Sequence, residues 1–505
     1  MLAILAAQLL AGMTRMSVTS DETSHLPAGY TYLKTGDMRL NPQHPPLIKL
    51  LAALPLLPLN PALNLNDPNW VAEPPNEWDF GEEFLHSNDV DRLLFAGRLP
   101  VVLLSLLLGF FVFRWASELF GNGAGLLALF LYVLSPNILA HSRIVTMDLG
   151  LSCFSVLFLY NLWHWTRDRK RSSLAWAALC LGLALATKFS AVILIPVALV
   201  LILATMDRKK GELDRVAGGL AAMLAVAALV VWAAYFFPTD LSFYLDGMSR
   251  VNADHDPNRA YYLMGKFQVG GFPHYFLMAF LFKTPLPTLL LLTASVILMR
   301  RFPAGRRSDE LFLVLPALTF FFVTSALADG IGLRYLLPLY PLIFIFVSRL
   351  ASTISSGHVT RIAGVALLVW YAASAAWIFP HHLAYFNEAA GGPTNGYKLL
   401  GDSNLDWGQD LPLLKQWQDE TGAGPVRLLY SWNGRPENYG IDHVRATPRD
   451  WYQEPSPGTY VVSTFWLVRG LHEHRTKDVP ANWLERYEPT DRIGYSFFVY
   501  RFGED

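Results

Sequence analysis

Eleven apolar runs, parted by short polar stretches, limit this chain to very few architectures. They cover roughly residues 1–13, 93–116, 122–141, 148–166, 173–187, 189–206, 216–237, 275–299, 311–328, 335–352 and 361–380. In lipid every backbone N–H and C=O must find a partner within the segment, so such runs form helices. The predicted fold class is a polytopic α-helical membrane protein with about eleven transmembrane helices. The 1–13 run is shorter than the ~20 residues of a usual span. It also lacks the basic start of a signal peptide, so a short first span is preferred to a cleaved leader. Runs 173–187 and 189–206 are parted only by Lys188 and read as two tight spans or a re-entrant pair.

Composition agrees. Of 505 residues, 53% are hydrophobic and only 16% charged, against about 25% charged in soluble domains. The 15 Trp suit bilayer interfaces. A net charge of −1 gives no bulk attraction to nucleic acid, and no nucleic-acid partner is expected. Cys153 and Cys180 both fall in apolar runs, so a disulfide framework is not expected.

Basic clusters set the sidedness. Arg167-Asp-Arg-Lys-Arg171, Arg208–Lys210, Arg300-Arg301 and Arg306-Arg307 fill one set of short loops, which should be cytoplasmic. The N-terminus then lies inside, and loops 15–92, 142–147 and 238–274 lie outside, in a cell (inner) membrane. Residues 1–380 form the membrane module and 381–505 a small extracytoplasmic α/β domain. Val426–Ser431, Thr459–Phe465 and Ser496–Phe502 read as its strands. Leu411–Glu420 reads as a helix capped by Asp410 with Pro412 in its first turn.

Charges gather at the predicted outer face. Asp21-Glu22 follows the first apolar run; the pair could cap the next helix, or Asp21 could accept a proton from an attacking hydroxyl. His44-Pro-Pro with Lys49 could be a turn with a snorkelling lysine, or a grip for a phosphate. Arg143 and Asp148 share the second outer loop, where Asp148 could also act as a helix cap. Lys188, Lys283 and Arg334 are three cations at one mouth of the bundle, which suggests an anion there. In Asp402-Ser-Asn-Leu-Asp406-Trp407-Gly-Gln-Asp410 the acids recur every four residues, the spacing of one helix face. Trp407 beside them suits a sugar contact; a structured linker is the plainer reading. Walker A, dinucleotide-binding, His-Glu-x-x-His and Cys-x-x-Cys patterns are absent from the sequence.

The layout of Asp21-Glu22, Gln43-His44-Pro-Pro-Leu47, Thr146-Met-Asp148, Ala186-Thr-Lys188 and Arg334-Tyr-x-Leu-Pro338 resembles the GT-C glycosyltransferases. The nearest branch is the protein O-mannosyltransferase and aminoarabinose-transferase group, over about residues 1–380. Tyr385-Phe-Asn-Glu-x-x-Gly-Gly-Pro and the Asp402–Asp410 block resemble a prokaryotic set within it. The resemblance implies transfer of a sugar from a polyprenyl-phosphate carrier to a hydroxyl of a protein, lipid or glycan. It implies Asp21 as base, Glu22 as its support and Asp148 as an orienting acid. His44, Lys49, Lys188, Lys283 and Arg334 would hold the donor phosphate. Arg143, Asp402, Asp406 and Trp407 would touch acceptor or sugar. In the aminoarabinose transferases a Lys precedes Pro-Pro; here it is His44. With a phosphate leaving group, no obligatory metal or other cofactor is expected. The competing class is a polyprenyl-lipid flippase, although such transporters tend to carry charges at mid-depth and repeated halves.

Overall fold

The computed structural model describes all residues except 207–210, 254–255, 257, 302–306, 448–449, 451–452, 473–481 and 504–505. The expected basic clusters Arg208–Lys210 and, for Arg306, Arg306-Arg307 therefore lie wholly or partly outside the described residues.

Among the described residues, four helices are long and apolar enough to cross a membrane: Val90–Phe120, Glu212–Ala234, Ser308–Leu327 and His358–Trp377. Of the about eleven expected spans these four meet that length and hydropathy; Met147–Asp168 covers a further expected run, and others are shorter or broken. Leu2–Met13, Asn122–Val133, Arg171–Leu185 and Phe189–Thr205 are apolar but shorter. The run 122–141 breaks at Ser135, whose hydroxyl caps a second helix, Pro136–His141, with Pro136 in its first turn. At Lys188 the backbone is extended, which separates Arg171–Leu185 from the next segment.

The 275–299 run is also broken. Tyr275–Lys283 and Leu286–Leu298 meet at 110°, because Pro285 has no N–H to continue the ladder. The freed carbonyls are satisfied from elsewhere. Asn387 Nδ2 donates to the carbonyls of Leu281 at 2.6 Å and Thr284 at 2.8 Å. Asn387 N–H takes that of Phe282 at 2.9 Å, and Asn137 Nδ2 that of Lys283 at 2.8 Å.

Met147–Asp168 is buried nearly all round and runs through the middle of the bundle. Its 22 residues span roughly 33 Å at 1.5 Å per residue, so its ends mark two faces. At the far end Arg167 pairs with Asp309 at 2.9 Å, Arg169 with Glu212 at 2.7 Å and Arg349 with Glu310 at 2.9 Å. Asp148 starts the near end, where the loop helices Ser20–Thr35, Leu47–Ala53 and Glu77–His86 gather. Gly29 lets two of these touch: a Cβ there would lie 2.0 Å from the Lys49 carbonyl oxygen.

A hairpin of β1 (Ala260–Leu263) and β2 (Lys266–Val269) precedes the bent pair. The C-terminal segment holds β3 (Val426–Leu429), β4 (His443–Arg445), β5 (Gly458–Ser463), β6 (Asp491–Ile493) and β7 (Phe497–Phe502). They form one sheet in the order β4-β3-β5-β7-β6, with β3 parallel to β4 and β5, and β7 antiparallel to β5 and β6. Alternation covers both faces. Val461, Phe497 and Val499 pack with Leu411, Leu414 and Trp417, while Tyr460, Val462 and Phe498 pack with Leu467 and Trp483. The expected helix runs Leu411–Thr421, but Asp410 does not cap it; its carboxylate accepts the Ser496 hydroxyl at 2.6 Å instead. The 402–410 segment is not helical beyond a turn at Asp402–Asn404, so its three acids do not share a face.

Asn387→Leu would leave the Leu281 and Thr284 carbonyls bare, at about 1–3 kcal/mol for each unpaired buried group. A clear fall in melting temperature in detergent is the expected result.

Candidate active site

The local sequence splits Asp21 and Glu22 between two tasks. Both lie in the first turn of the Ser20–Thr35 helix, where successive side chains point about 100° apart. Glu22 turns inward. Its carboxylate accepts Arg98 Nη2 at 2.6 Å and Nε at 2.8 Å, and the pair is 0% and 1% exposed. It also accepts the N–H groups of Thr19 and Val145, each at 3.0 Å. Burial alone would raise the Glu22 carboxyl; Arg98 outweighs it and holds it below the ordinary carboxylate range. Arg98 spends its other donors on the carbonyls of Met13, Met16 and Ser17.

Asp21 points the other way, into a cluster of four charges. Arg334 is ion-paired with Asp21 and lies 3.8 Å from Asp148. Lys188 pairs with Asp148 at 2.6 Å. The guanidinium of Arg334 sits 4.3 Å from the Trp407 ring centroid and 5.2 Å from that of Tyr335, and Lys188 lies 4.4 Å from Tyr335. Two acids and two cations thus balance. The Nε of Arg334 is buried with no hydrogen-bond partner among the described residues.

His25 lies one helical turn after Asp21, and its ring meets His44 edge-on at 5.4 Å. His25 Nδ1 is 3.0 Å from the Val145 carbonyl oxygen, so Nδ1–H donates. Val145 is therefore held at both ends by one helix: its N–H by Glu22 and its carbonyl by His25. Three residues later comes Asp148. This clamp sets the register between the two acids of the cluster. The His44 ring, pressed by burial and then by His25, Lys188, Lys49 and Arg334, titrates well below the usual imidazole range.

Other expected site residues are engaged elsewhere. Lys49 was expected on the donor phosphate, but its ammonium has three donors and four oxygens around it. These are the Asn41 carbonyl at 2.6 Å, the His44 carbonyl at 2.7 Å, Tyr32 Oη at 3.0 Å and Asn41 Oδ1 at 3.1 Å. Lys283 donates to the carbonyls of Leu383 and Asn404, stitching the broken helix to the C-terminal segment. Arg143 crosses Gly12 and donates to the Pro380 carbonyl. Asp406 accepts Trp432 Nε1–H at 2.8 Å and the Phe465 N–H at 3.2 Å; burial pushes its carboxyl up to about 7. Asp402 faces a separate cleft, and Trp407 forms the aromatic floor under Arg334. The sequence reading passed over Arg98, His25 and Tyr335. Of these, only His25 carried a signal, its four-residue spacing from Asp21.

Two further cavities are present. One, of about 290 Å³, is lined by Tyr32, Arg39, His44, Tyr235, Phe243 and Arg250. The other is an apolar groove of about 590 Å³ between Leu185, Ile195, Ala227, Trp232, Phe243 and Tyr244. Phe243 lines both.

His25→Leu should remove the buried bond to Val145 and leave a carbonyl unpaired, at about 1–3 kcal/mol. His25→Asn places a donor near the Nδ1 position and should recover most of the loss. Thermal unfolding of both variants checks this.

Comparison with known proteins places the fold. A family model described as dolichyl-phosphate-mannose-protein mannosyltransferase matches residues 90–235, a stretch that holds Arg98, Asp148 and Lys188 but neither Asp21 nor Arg334. ArnT from Cupriavidus metallidurans in the apo state is similar over 98% of this chain and 96% of that one, at 13% identity and a TM-score of 0.53. The same protein bound to undecaprenyl phosphate matches over 98% and 96%, at 14% identity and a TM-score of 0.51. No curated protein sequence matches the chain. In fold, this chain is similar to these ArnT structures, and residues 90–235 match the mannosyltransferase family model.

Proposed function

We propose that the protein is an inverting glycosyltransferase that moves a sugar from a polyprenyl-phosphate carrier to an acceptor hydroxyl at the outer membrane face. The observation that carries this is Arg334: a buried guanidinium between two carboxylates, with one unpaired donor and an aromatic floor. A lipid-borne phosphate fits such a cation. The likeness to ArnT, one of whose structures holds undecaprenyl phosphate, supports the same reading.

In this reading the donor phosphate takes Arg334 and Lys188, and the tail lies in the groove. The phosphate competes with Asp21 for Arg334 and so frees the Asp21 carboxylate. Asp21 then accepts the proton of the acceptor hydroxyl. Its oxygen forms a bond to the anomeric carbon, and the bond from that carbon to the phosphate oxygen breaks, its electron pair leaving on the phosphate. Arg334 stabilises the charge that builds there. Asp148 holds Lys188 in place. Lys49 and Lys283 serve structure, and Glu22 positions Asp21 through its own bond to Arg98. The face bearing Asp21 and the C-terminal sheet is extracytoplasmic, and the Arg167–Asp309 end is cytoplasmic. The reading needs no obligatory metal, which chelation by EDTA tests.

The protein reconstituted in vesicles with a polyprenyl-phosphate sugar should release free polyprenyl phosphate; a flippase would move the lipid without cleaving it. Asp21→Asn should slow release by ~10²-fold or more while the protein still inserts and folds. Near-normal turnover in that variant would reject Asp21 as base. Arg334→Ala should weaken donor binding by roughly 1.5–3 kcal/mol, the worth of a charge-assisted bond. Lys49→Met should instead lower the melting temperature and leave donor affinity unchanged.

A further inference from the structure

The stretch Asp402–Asp410 takes no part in the steps above, yet it reaches both sides of the charged cluster. Its first half holds the chain beside Arg334. Ser403 Oγ donates to the Ile331 carbonyl at 2.9 Å, and Asn404 Oδ1 accepts the Leu333 N–H at 3.0 Å. The Asn404 amide is fixed in turn: Nδ2 donates to Tyr275 Oη at 2.8 Å and to the Gly401 carbonyl at 2.9 Å.

Its second half holds the chain beside Asp21. The Trp407 carbonyl accepts the Ser20 N–H and the Gln409 carbonyl the Ser17 N–H, each at 3.0 Å. Between them the Gly408 carbonyl accepts Ser17 Oγ–H at 2.7 Å, and the same hydroxyl oxygen accepts the Leu411 N–H at 3.2 Å. Tyr439 Oη accepts the Val18 N–H at 3.0 Å, and Glu22 takes the Thr19 N–H at 3.0 Å. Every amide from Ser17 to Ser20 is thus paired, and all but one with the chain after residue 406. Ser20 opens the helix on which Asp21 comes next. The first amides of a helix have no partner within it, so whatever takes them decides where the first turn sits.

Gln409 shapes the turn that does this. It is buried, its Oε1 accepts the Trp407 N–H at 2.8 Å, and its Nε2 donates to the Leu405 carbonyl and the Asp410 carboxylate, each at 3.0 Å. Only a side-chain amide both accepts and donates twice without a charge. Gly408 completes the turn at a φ of +92°, and a Cβ there would lie 2.8 Å from Tyr430 Oη and 2.9 Å from Trp432 Cβ. The turn also carries the Trp407 ring, 4.3 Å from the Arg334 guanidinium. One short stretch therefore grips the chain that bears the base, and both the chain and the ring that hold the cation.

We propose that Gln409 and Asn404 are positioning residues: through this stretch they set the separation of Asp21 and Arg334, so that both stay in place when a phosphate opens their ion pair. Resting on the transferase reading above, the proposal gives the C-terminal segment a share in the rate. A freed carboxylate must stay aimed at the acceptor hydroxyl, and a ~1 Å misplacement of a reacting group can cost ~10²-fold.

The test uses the full chain in nanodiscs with a polyprenyl-phosphate sugar, with rates taken per folded molecule well below the melting temperature. Tyr439→Phe removes only the oxygen that takes the Val18 N–H. It should lower kcat at least threefold and leave the binding of free polyprenyl phosphate within twofold of the wild type. Trp407→Leu and Asn404→Leu should instead weaken that binding at least fivefold, and Trp407→Phe, which keeps a ring under the guanidinium, should recover most of the loss. Gln409→Met keeps the side-chain length, loses its three bonds, and should lower both kcat and binding. Without lipid, hydrogen exchange at the Val18 and Ser20 amides should run at least tenfold faster in Gln409→Met. Unchanged exchange there overturns the proposal, as does a loss confined to melting temperature and yield. If Gln409→Met does not fold, an unchanged kcat in Tyr439→Phe overturns it equally. Faster exchange in the variant, with no polyprenyl phosphate released by the wild type, keeps the bracket and rejects the transferase reading instead.

Discussion

The buried pair of Glu22 and Arg98 is the constraint on which the rest of the site depends. Removing two charges from water is costly, and such a pair persists only when every lone pair and donor finds a partner. Here it does. Glu22 takes the guanidinium and the Thr19 and Val145 amides, and Arg98 turns to three carbonyls at the end of the first helix. One ion pair therefore fixes four pieces of chain: residues 13–17, the Ser20–Thr35 helix, the Val90–Phe120 helix and the loop before Asp148. With Glu22 committed inward, Asp21 has no freedom to follow it. Its direction toward Arg334 is a result of where its neighbour is held.

The charged cluster is balanced as it stands. Asp21 and Asp148 compete for Arg334, and only Asp148 has a second cation, Lys188. An added anion would disturb Asp21 first. The Trp407 and Tyr335 rings lie 4.3 Å and 5.2 Å from the Arg334 guanidinium.

Much of this was legible in the sequence, and the failures have physical causes. Asp21, Asp148, Lys188 and Arg334 stood out because an ionisable group at the edge of an apolar run needs a reason, and the structure brings all four together. The strands β3, β5 and β7 were visible through their β-branched and aromatic residues. The short β4 and β6 carry too few such residues to show, and the β1–β2 hairpin was passed over as loop. Lys49 and Lys283 misled because hydropathy marks a buried cation without saying what it bonds. Both are spent on carbonyl oxygens contributed by residues far away in the fold or by irregular backbone. The 402–410 acids misled through periodicity: four-residue spacing means one face only if the segment is a helix. The apolar runs were found, but their breaks at Ser135 and Pro285 depend on caps that hydropathy does not see.

The bend between Lys283 and Leu286 has a consequence for how the chain comes to be folded. Its open carbonyls lie in an apolar part of the bundle, where water is not at hand to pair them. Two of their donors come from one side chain, Asn387, which lies 106 and 103 residues further along than the carbonyls it serves. Synthesis delivers the bend long before it delivers its partner. The bend is complete only when the polar segment after the His358–Trp377 helix lies against it. The stretch behind the last apolar helix is thus a closing piece for the bent pair, far ahead of it in the chain.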